Sequence, residues 1–313
     1  MKVAFVGKGG SGKSTIASLF ALYLIEQKKK VLLVDADLNI HIPEILNTSQ
    51  KEIISTDKNM LEIRKILAGT NPNVDPLHFI KTTPPGMGST LISISDENEI
   101  IKRFTAEFNG YGRLMVVGTY QEDGIGTSCY HTNLGILENI LSHTQTKTDE
   151  WVVVDMVAGI DAFANSLHLQ FDCLFFVCEP TSEGVSVFKR YQTLAKDAGV
   201  ENQLLAVGNK VEDETDSDFL KKGIGEKLIS MFDKEKKIKQ ARQSEDKVTL
   251  KLISGKSIEV LEKMLNQSQK LEVDPNVRLR QLHSLHLKLG NEKSTKLKHG
   301  DLSGQIDETF VFI

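Results

Sequence analysis

Gly7-Lys8-Gly9-Gly10-Ser11-Gly12-Lys13-Ser14-Thr15, just inside the amino end, decides how the rest of the chain reads. Residues 7–14 match the phosphate-loop spacing G-x-x-x-x-G-K-[ST] letter for letter. Glycines let the backbone wrap a phosphate with its N–H groups turned inward, Lys13 brings positive charge to the terminal phosphates, and the Ser14 hydroxyl is suited to Mg²⁺. The helix that must start here adds its positive end. A glycine turn without a ligand is the plain alternative, but the flanks supply the required context. Residues 2–6, Lys-Val-Ala-Phe-Val, read as a short buried strand. Behind the loop, Ile16, Leu19, Phe20, Tyr23 and Leu24 recur at i, i+3, i+4, i+7 and i+8, one apolar face of a helix.

Outward from the loop, continuous apolar runs follow at 31–34, 114–117, 151–154, 173–177 and 204–207, with helical periods between most of them at 134–141, 185–195 and 219–231. Strands that are apolar without alternation are covered on both faces, which is how parallel sheets read. The pattern predicts an α/β fold, a doubly wound and mostly parallel sheet of the phosphate-loop NTPase type, with nucleotide at the carboxyl ends of the strands. Residues 47–113 read as helical excursions and a loop above the sheet edge. From about residue 233 the chain turns charge-rich, and 257–265 look like a last amphipathic helix. This divides the chain into a domain over 1–268 and a C-terminal extension over 269–313, which can pack on its own domain or on a partner.

A formal charge of −4 gives no general attraction to nucleic acid or anionic lipid, so neither is an expected partner. Three cysteines, Cys129, Cys173 and Cys178, form no disulfide framework and suit a reducing cytoplasm, where we expect the protein. No apolar run approaches membrane-spanning length. Cys173 and Cys178 lie in or at the end of an apolar run and read as core. Asp35 and Asp37 close the second strand beside the expected γ-phosphate, a position from which carboxylates can hold Mg²⁺ and orient a water. Asp155 ends another apolar run, the place of a Walker B carboxylate facing the metal.

Lys8, at the start of the loop, makes the pattern resemble the deviant phosphate loop of the MinD, ParA and nitrogenase iron protein superfamily. The resemblance implies ATP and Mg²⁺ as cofactors and a nucleotide-dependent homodimer in which Lys8 reaches the partner's phosphates. By the same resemblance Lys13 and Asp37 complete the catalytic set with Lys8, Asp37 positioning the water. Residues 7–15 cradle the phosphates, Ser14, Asp35 and Asp155 serve Mg²⁺, Gly159 offers an N–H free to sense the γ-phosphate, and Asn209-Lys210 read the base. Glu212, where a GTPase has aspartate, argues mildly against guanine.

The segment 118–134, with Cys129-Tyr130-His131 and Asn133, resembles Gly-Cys-Tyr-Cys-x-x-Asn of the CooC family, ATPases that help insert nickel into carbon monoxide dehydrogenase. The likeness runs from residue 1 to about 245 and includes Arg113 to Gly118, Asp155 to Phe163, Glu179-Pro-Thr and Asn209-Lys-Val. It implies a Ni²⁺ or Zn²⁺ site at a dimer interface and an apo-metalloenzyme client. The departure is His131 where the family has a second cysteine. Thiolate and imidazole both bind such ions, and two Cys129-His131 pairs across a two-fold axis would make a Cys₂His₂ set. Two other readings stand beside the metallochaperone: a positioning ATPase of the MinD or ParA type, and a regulatory ATPase without a metal site.

Overall fold

The computed structural model of the chain describes residues 1–96, 98–119, 130–159, 163 and 166–313, and of residues 130–132 the backbone alone. Its strands are β1 (Lys2–Gly7), β2 (Lys30–Ala36), β3 (Thr105–Phe108), β4 (Gly112–Val116), β5 (Glu150–Met156), β6 (Cys173–Cys178), β7 (Leu204–Val211) and β8 (Leu228–Asp233). They form one sheet in the order β3-β4-β2-β5-β1-β6-β7-β8. β3 runs antiparallel to β4, and the remaining neighbours are parallel. The helices are α1 (Lys13–Glu26), α2 (Ile42–Leu46), α3 (Asp57–Ala68), α4 (Glu99–Phe104), α5 (Tyr130–Ser142), α6 (Ser182–Asp197), α7 (Glu214–Ile224), α8 (Lys236–Gln243), α9 (Gly255–Ser268), α10 (Pro275–Gly290) and α11 (Lys293–His299).

The continuous apolar strands are explained by two cores. Ala4, Val6, Leu32, Val34, Val152, Val154, Leu174 and Phe176 face one core, under α3 to α7. Val3, Phe5, Val31, Leu33, Val153, Cys173 and Phe175 face the other, under α1, α2 and α9. The strand period of two is intact, but both phases are apolar because both faces are covered. Cys173 and Cys178 are fully buried, as expected of core residues.

Three expectations change. Helix α1 is buried on nearly its whole circumference, Leu22 and Ile25 included, because α2, α9 and the turn at 250–252 pack around it as well as the sheet. The period read over 219–231 joins a helix to a strand: α7 stops at Gly225, which takes a left-handed φ of 72°, and Leu228–Asp233 forms the edge strand β8. The helix over 257–265 is not the last, since α10 and α11 follow. His286 on α10 is fully buried, with Nδ1 3.3 Å from the Thr82 hydroxyl and Nε2 3.3 Å from the Leu302 carbonyl oxygen.

Residues 269–313 pack against the rest of the chain. Thr83 Oγ1 donates to Gln305 Oε1 at 3.0 Å, Gln305 Nε2 donates to the His78 carbonyl at 3.2 Å, and Met87 N donates to Asp307 Oδ2 at 2.9 Å. At the amino ends of the strands, Asp172 holds the start of α10 through Val273 N and Arg278.

Candidate functional site

The turn from β1 into α1 is built on three glycines with positive φ: Gly7 at 145°, Gly10 at 81° and Gly12 at 96°. A Cβ on Gly7 would stand 2.5 Å from the Val177 carbonyl oxygen, and one on Gly12 would strike the Asn209 side-chain amide. Only glycine fits both the conformation and the space. The N–H groups of Gly9, Gly10 and Gly12 find no partner among the described residues, and α1 starts at Gly12 without a side-chain cap. Unengaged amides over the positive end of a helix form an anion cradle. Ser11 adds a buried hydroxyl without a partner.

Beneath the loop lie the carboxylates. Asp35 on β2 and Asp155 on β5 are paired in register and both are fully buried. Asp35 accepts from Ile42 N at 2.8 Å and Asp37 N at 3.2 Å, and burial still pushes its carboxyl up to about 6. Asp155 is more exposed to the same cost. Neither of its oxygens has a hydrogen-bond partner in good geometry. Burial, with the charge of Asp35 added, raises its carboxyl well above the usual range, although Ser14 and Lys13 stand near enough to temper this. Two buried carboxylates of like charge, one without partners, fit a divalent cation held with the help of Ser14. Lys13, almost fully buried, brings Nζ to 4.0 Å from Asp37 Oδ2, and Asp37 Oδ1 accepts from Asn39 N and Nδ2 at 3.2 Å each. Lys8 is half-buried at the rim, close enough to add to the lowering of the exposed Glu183 pKa by that residue's own backbone and Ser182.

The structure departs from expectation at two places. Gly159 N–H is not free: it donates to the Gly7 carbonyl at 2.9 Å, in a bridge that fastens the segment after β5 to the first residue of the loop. Asn209 and Lys210 hold the loop's backbone, with Asn209 Nδ2 2.6 Å from the Ser11 carbonyl and Lys210 Nζ 2.7 Å from that of Gly10. Lys210 sits in left-handed backbone, φ 61°, and is anchored by Glu179 Oε1 at 2.5 Å. The same two residues rim a cavity of about 430 Å³ walled by Ile16, Leu19, Phe232, Ile238 and Ile253. The sequence reading missed the last three: Phe232 ends β8, most of which it read as helix, and Ile238 and Ile253 lie in the stretch it read only as charge-rich. Cys129 lies outside the described residues, as does the side chain of His131, whose backbone is in the first turn of α5. Among the described residues no three metal-ligating side chains converge, and no helix is long and apolar enough to cross a membrane.

Asp155 carries a pH signature. A carboxylate whose pKa is raised on folding binds more protons in the native state, so stability falls as pH rises through that range. Asp155→Asn is therefore expected to stabilise the protein without nucleotide at pH 7.5, by about 1 kcal/mol or somewhat more. The gain should shrink on acidification toward pH 4. Thermal melts of both proteins across pH 4.5–8 check this, and a variant less stable than wild type at pH 7.5 refutes it.

A parallel sheet, a glycine cradle at a helix start and buried acids at the neighbouring strand ends define a phosphate-loop ATPase, which binds nucleotide with Mg²⁺. The chain belongs to the family of the CobQ/CobB/MinD/ParA nucleotide binding domain, whose model matches residues 3–273. It is 31% identical over 229 residues to an ATP-binding protein of Methanocaldococcus jannaschii, covering 73% of this chain and 81% of that one. It is 28% identical over 220 residues to the carbon monoxide dehydrogenase accessory protein CooC of Rhodospirillum rubrum, covering 70% and 78%. Among solved structures it resembles a plasmid partition protein of Borrelia burgdorferi bound to AMPPNP, with a TM-score of 0.56 at 14% identity over 86% of this chain and 98% of that one.

Proposed function

We propose that this ATPase is a metallochaperone: ATP binding closes a homodimer, and closure and hydrolysis govern delivery of a metal, nickel first among candidates, to an apo-enzyme. Lys13 and the loop amides hold the phosphates, and Ser14, Asp35 and Asp155 hold Mg²⁺, which supplies charge neutralisation at the β- and γ-oxygens. Asp37 orients the attacking water. Lys8 reaches the partner's phosphates, and Gly159 exchanges its bond to Gly7 for one to the γ-phosphate. Adenine takes the cavity between α1 and β8, with Asn209 and Lys210 at its rim. A cytoplasmic setting suits a protein whose Cys129 acts as a thiolate.

The observation that carries the metal reading is the Cys129-x-His131 pair on a chain similar to CooC. Asn133, in the first turn of α5, donates to the Thr119 carbonyl at 3.4 Å. That contact keeps the start of α5 at the phosphate end of the sheet, where nucleotide-driven closure can act on the pair. Bound Ni²⁺ and Zn²⁺ measured in wild type and Cys129→Ser, with and without ATP, test it. Wild type should retain metal in a nucleotide-dependent amount and the variant should lose most of it. Equal metal content in both removes the metallochaperone and leaves the ATPase.

A further inference from the structure

Adjacent residues of a strand point to opposite faces of its sheet. Asn209 and Lys210, side by side near the end of β7, nevertheless both reach the phosphate loop, one at the Ser11 carbonyl and the other at that of Gly10. A bulge makes this possible. Gly208 pairs with Met231 and Val211 with Asp233, so between these pairs β7 carries one residue more than β8. Lys210 takes up the extra length in left-handed backbone, φ 61°. A lysine holds that conformation at a cost, and such strain gathers where a side chain is aimed at a task. The Lys210 ammonium is fixed by Glu179 Oε1 at 2.5 Å, from the residue that follows β6. The Glu179 side chain is 18% exposed against 43% for Lys210, so the carboxylate is the better held of the two and serves as the anchor.

We infer that Glu179 is a positioning residue for the phosphate loop: it holds Lys210 on the Gly10 carbonyl and so keeps the loop in the shape that offers its free amides to phosphate. In a trans peptide the carbonyl and the N–H point opposite ways. With the Ser11 carbonyl drawn to Asn209, the Gly12 N–H of the same peptide faces the other way, where it finds no partner among the described residues. With the Gly10 carbonyl drawn to Lys210, the Ser11 N–H is turned back onto the Lys8 carbonyl, to which it donates at 3.2 Å, closing the turn. Amides set in place beforehand bind phosphate without the entropic cost of ordering a glycine-rich loop. Glu179 does not line the cavity proposed for adenine, so its effect on a nucleotide runs through the loop. The inference rests on the loop binding phosphate, and on no metal. Charge alone makes the opposite forecast, since a carboxylate beside a triphosphate repels it. Loss of Glu179 therefore weakens binding if the residue positions the loop, and tightens it if the residue acts only as a charge.

Affinities for ATP and for inorganic tripolyphosphate, each with Mg²⁺, test this in the full chain as wild type, Glu179→Ala, Glu179→Gln, Lys210→Gly and the double variant Glu179→Ala/Lys210→Gly. Glycine suits the left-handed backbone at 210, and thermal melts should show all four variants folded. Glu179→Ala should bind both ligands about five- to tenfold more weakly. Glu179→Gln, which keeps an oxygen for the ammonium, should fall between it and wild type. The loss should be alike for the two ligands, because tripolyphosphate has no base. In the Lys210→Gly background, Glu179→Ala should have no further effect. Unchanged or tighter binding by Glu179→Ala, a loss seen with ATP alone, or a further loss in the double variant overturns the inference. A wild type that binds neither ligand would remove the phosphate-binding loop and the inference together, whereas failure of the metal reading shows separately, in metal content.

Discussion

Alanine at Lys13 is expected to abolish nucleotide binding, whereas alanine at Lys8 should leave binding near wild type and remove turnover. Lys13 is almost fully buried beside Asp37, with Asp35 and Asp155 close by. Its charge is the local counterweight to three carboxylates before any phosphate arrives. Without it a triphosphate must enter a site of net negative charge, and calorimetric affinity should fall at least 100-fold, on the order of 3 kcal/mol. Lys8 stands half-buried at the rim, and its side chain makes no hydrogen bond among the described residues. In the proposed function it acts on a phosphate outside its own loop, so its loss should be felt in the transition state of a closed pair of subunits. Steady-state hydrolysis should drop about 100- to 1000-fold while the dissociation constant changes little. Closure, followed by light scattering with ATP and Mg²⁺, should disappear with the rate. A Lys8→Ala protein that hydrolyses ATP as fast as wild type would falsify the cross-subunit role.

What the sequence made legible followed the strength of its constraints. The loop glycines were readable because Gly7 and Gly12 combine forbidden backbone with forbidden space. The six long apolar strands were readable because both faces of the sheet are covered. The edges of the sheet obey no such rule. β3 is four residues long, and β8 is half-exposed, so its Leu-Ile-Ser-Met-Phe-Asp passes as the tail of the preceding helix. That misreading hid Phe232, one wall of the cavity beside α1. The engaged Gly159 N–H and the grip of Asn209 and Lys210 on the loop depend on contacts between residues about 150 to 200 positions apart. Periodicity carries no trace of those.

Arg278→Met should cost the folded protein about 3–5 kcal/mol at neutral pH, the penalty for leaving a buried charge without its partner. The Arg278 side chain is 10% exposed and that of Asp172 4%, with Nη2 2.5 Å from Oδ1. Asp172 is the joint between domain and extension: it also accepts from Lys2 N at 2.6 Å and Val273 N at 3.0 Å. Burial works to raise the pKa of this carboxyl, and Arg278 with those two backbone donors overcomes it, so the net shift is downward. A depressed carboxyl contributes stability above the unfolded value near 4, lost as pH falls through the lower folded value. Removing the guanidinium reverses the balance, since Asp172 then keeps its burial with only the backbone donors against it. The deficit of the variant should therefore be largest near pH 7.5 and shrink as Asp172 takes up a proton on acidification. Urea unfolding of wild type and variant at pH 7.5 and 4.5 measures both. The exposed pair Lys221–Asp218 supplies the comparison, since its side chains are 58% and 66% exposed and its removal should change stability little. If Arg278→Met were as mild as that, the extension would be held by its apolar contacts and by Thr83, Gln305 and Asp307, with the buried pair contributing only orientation.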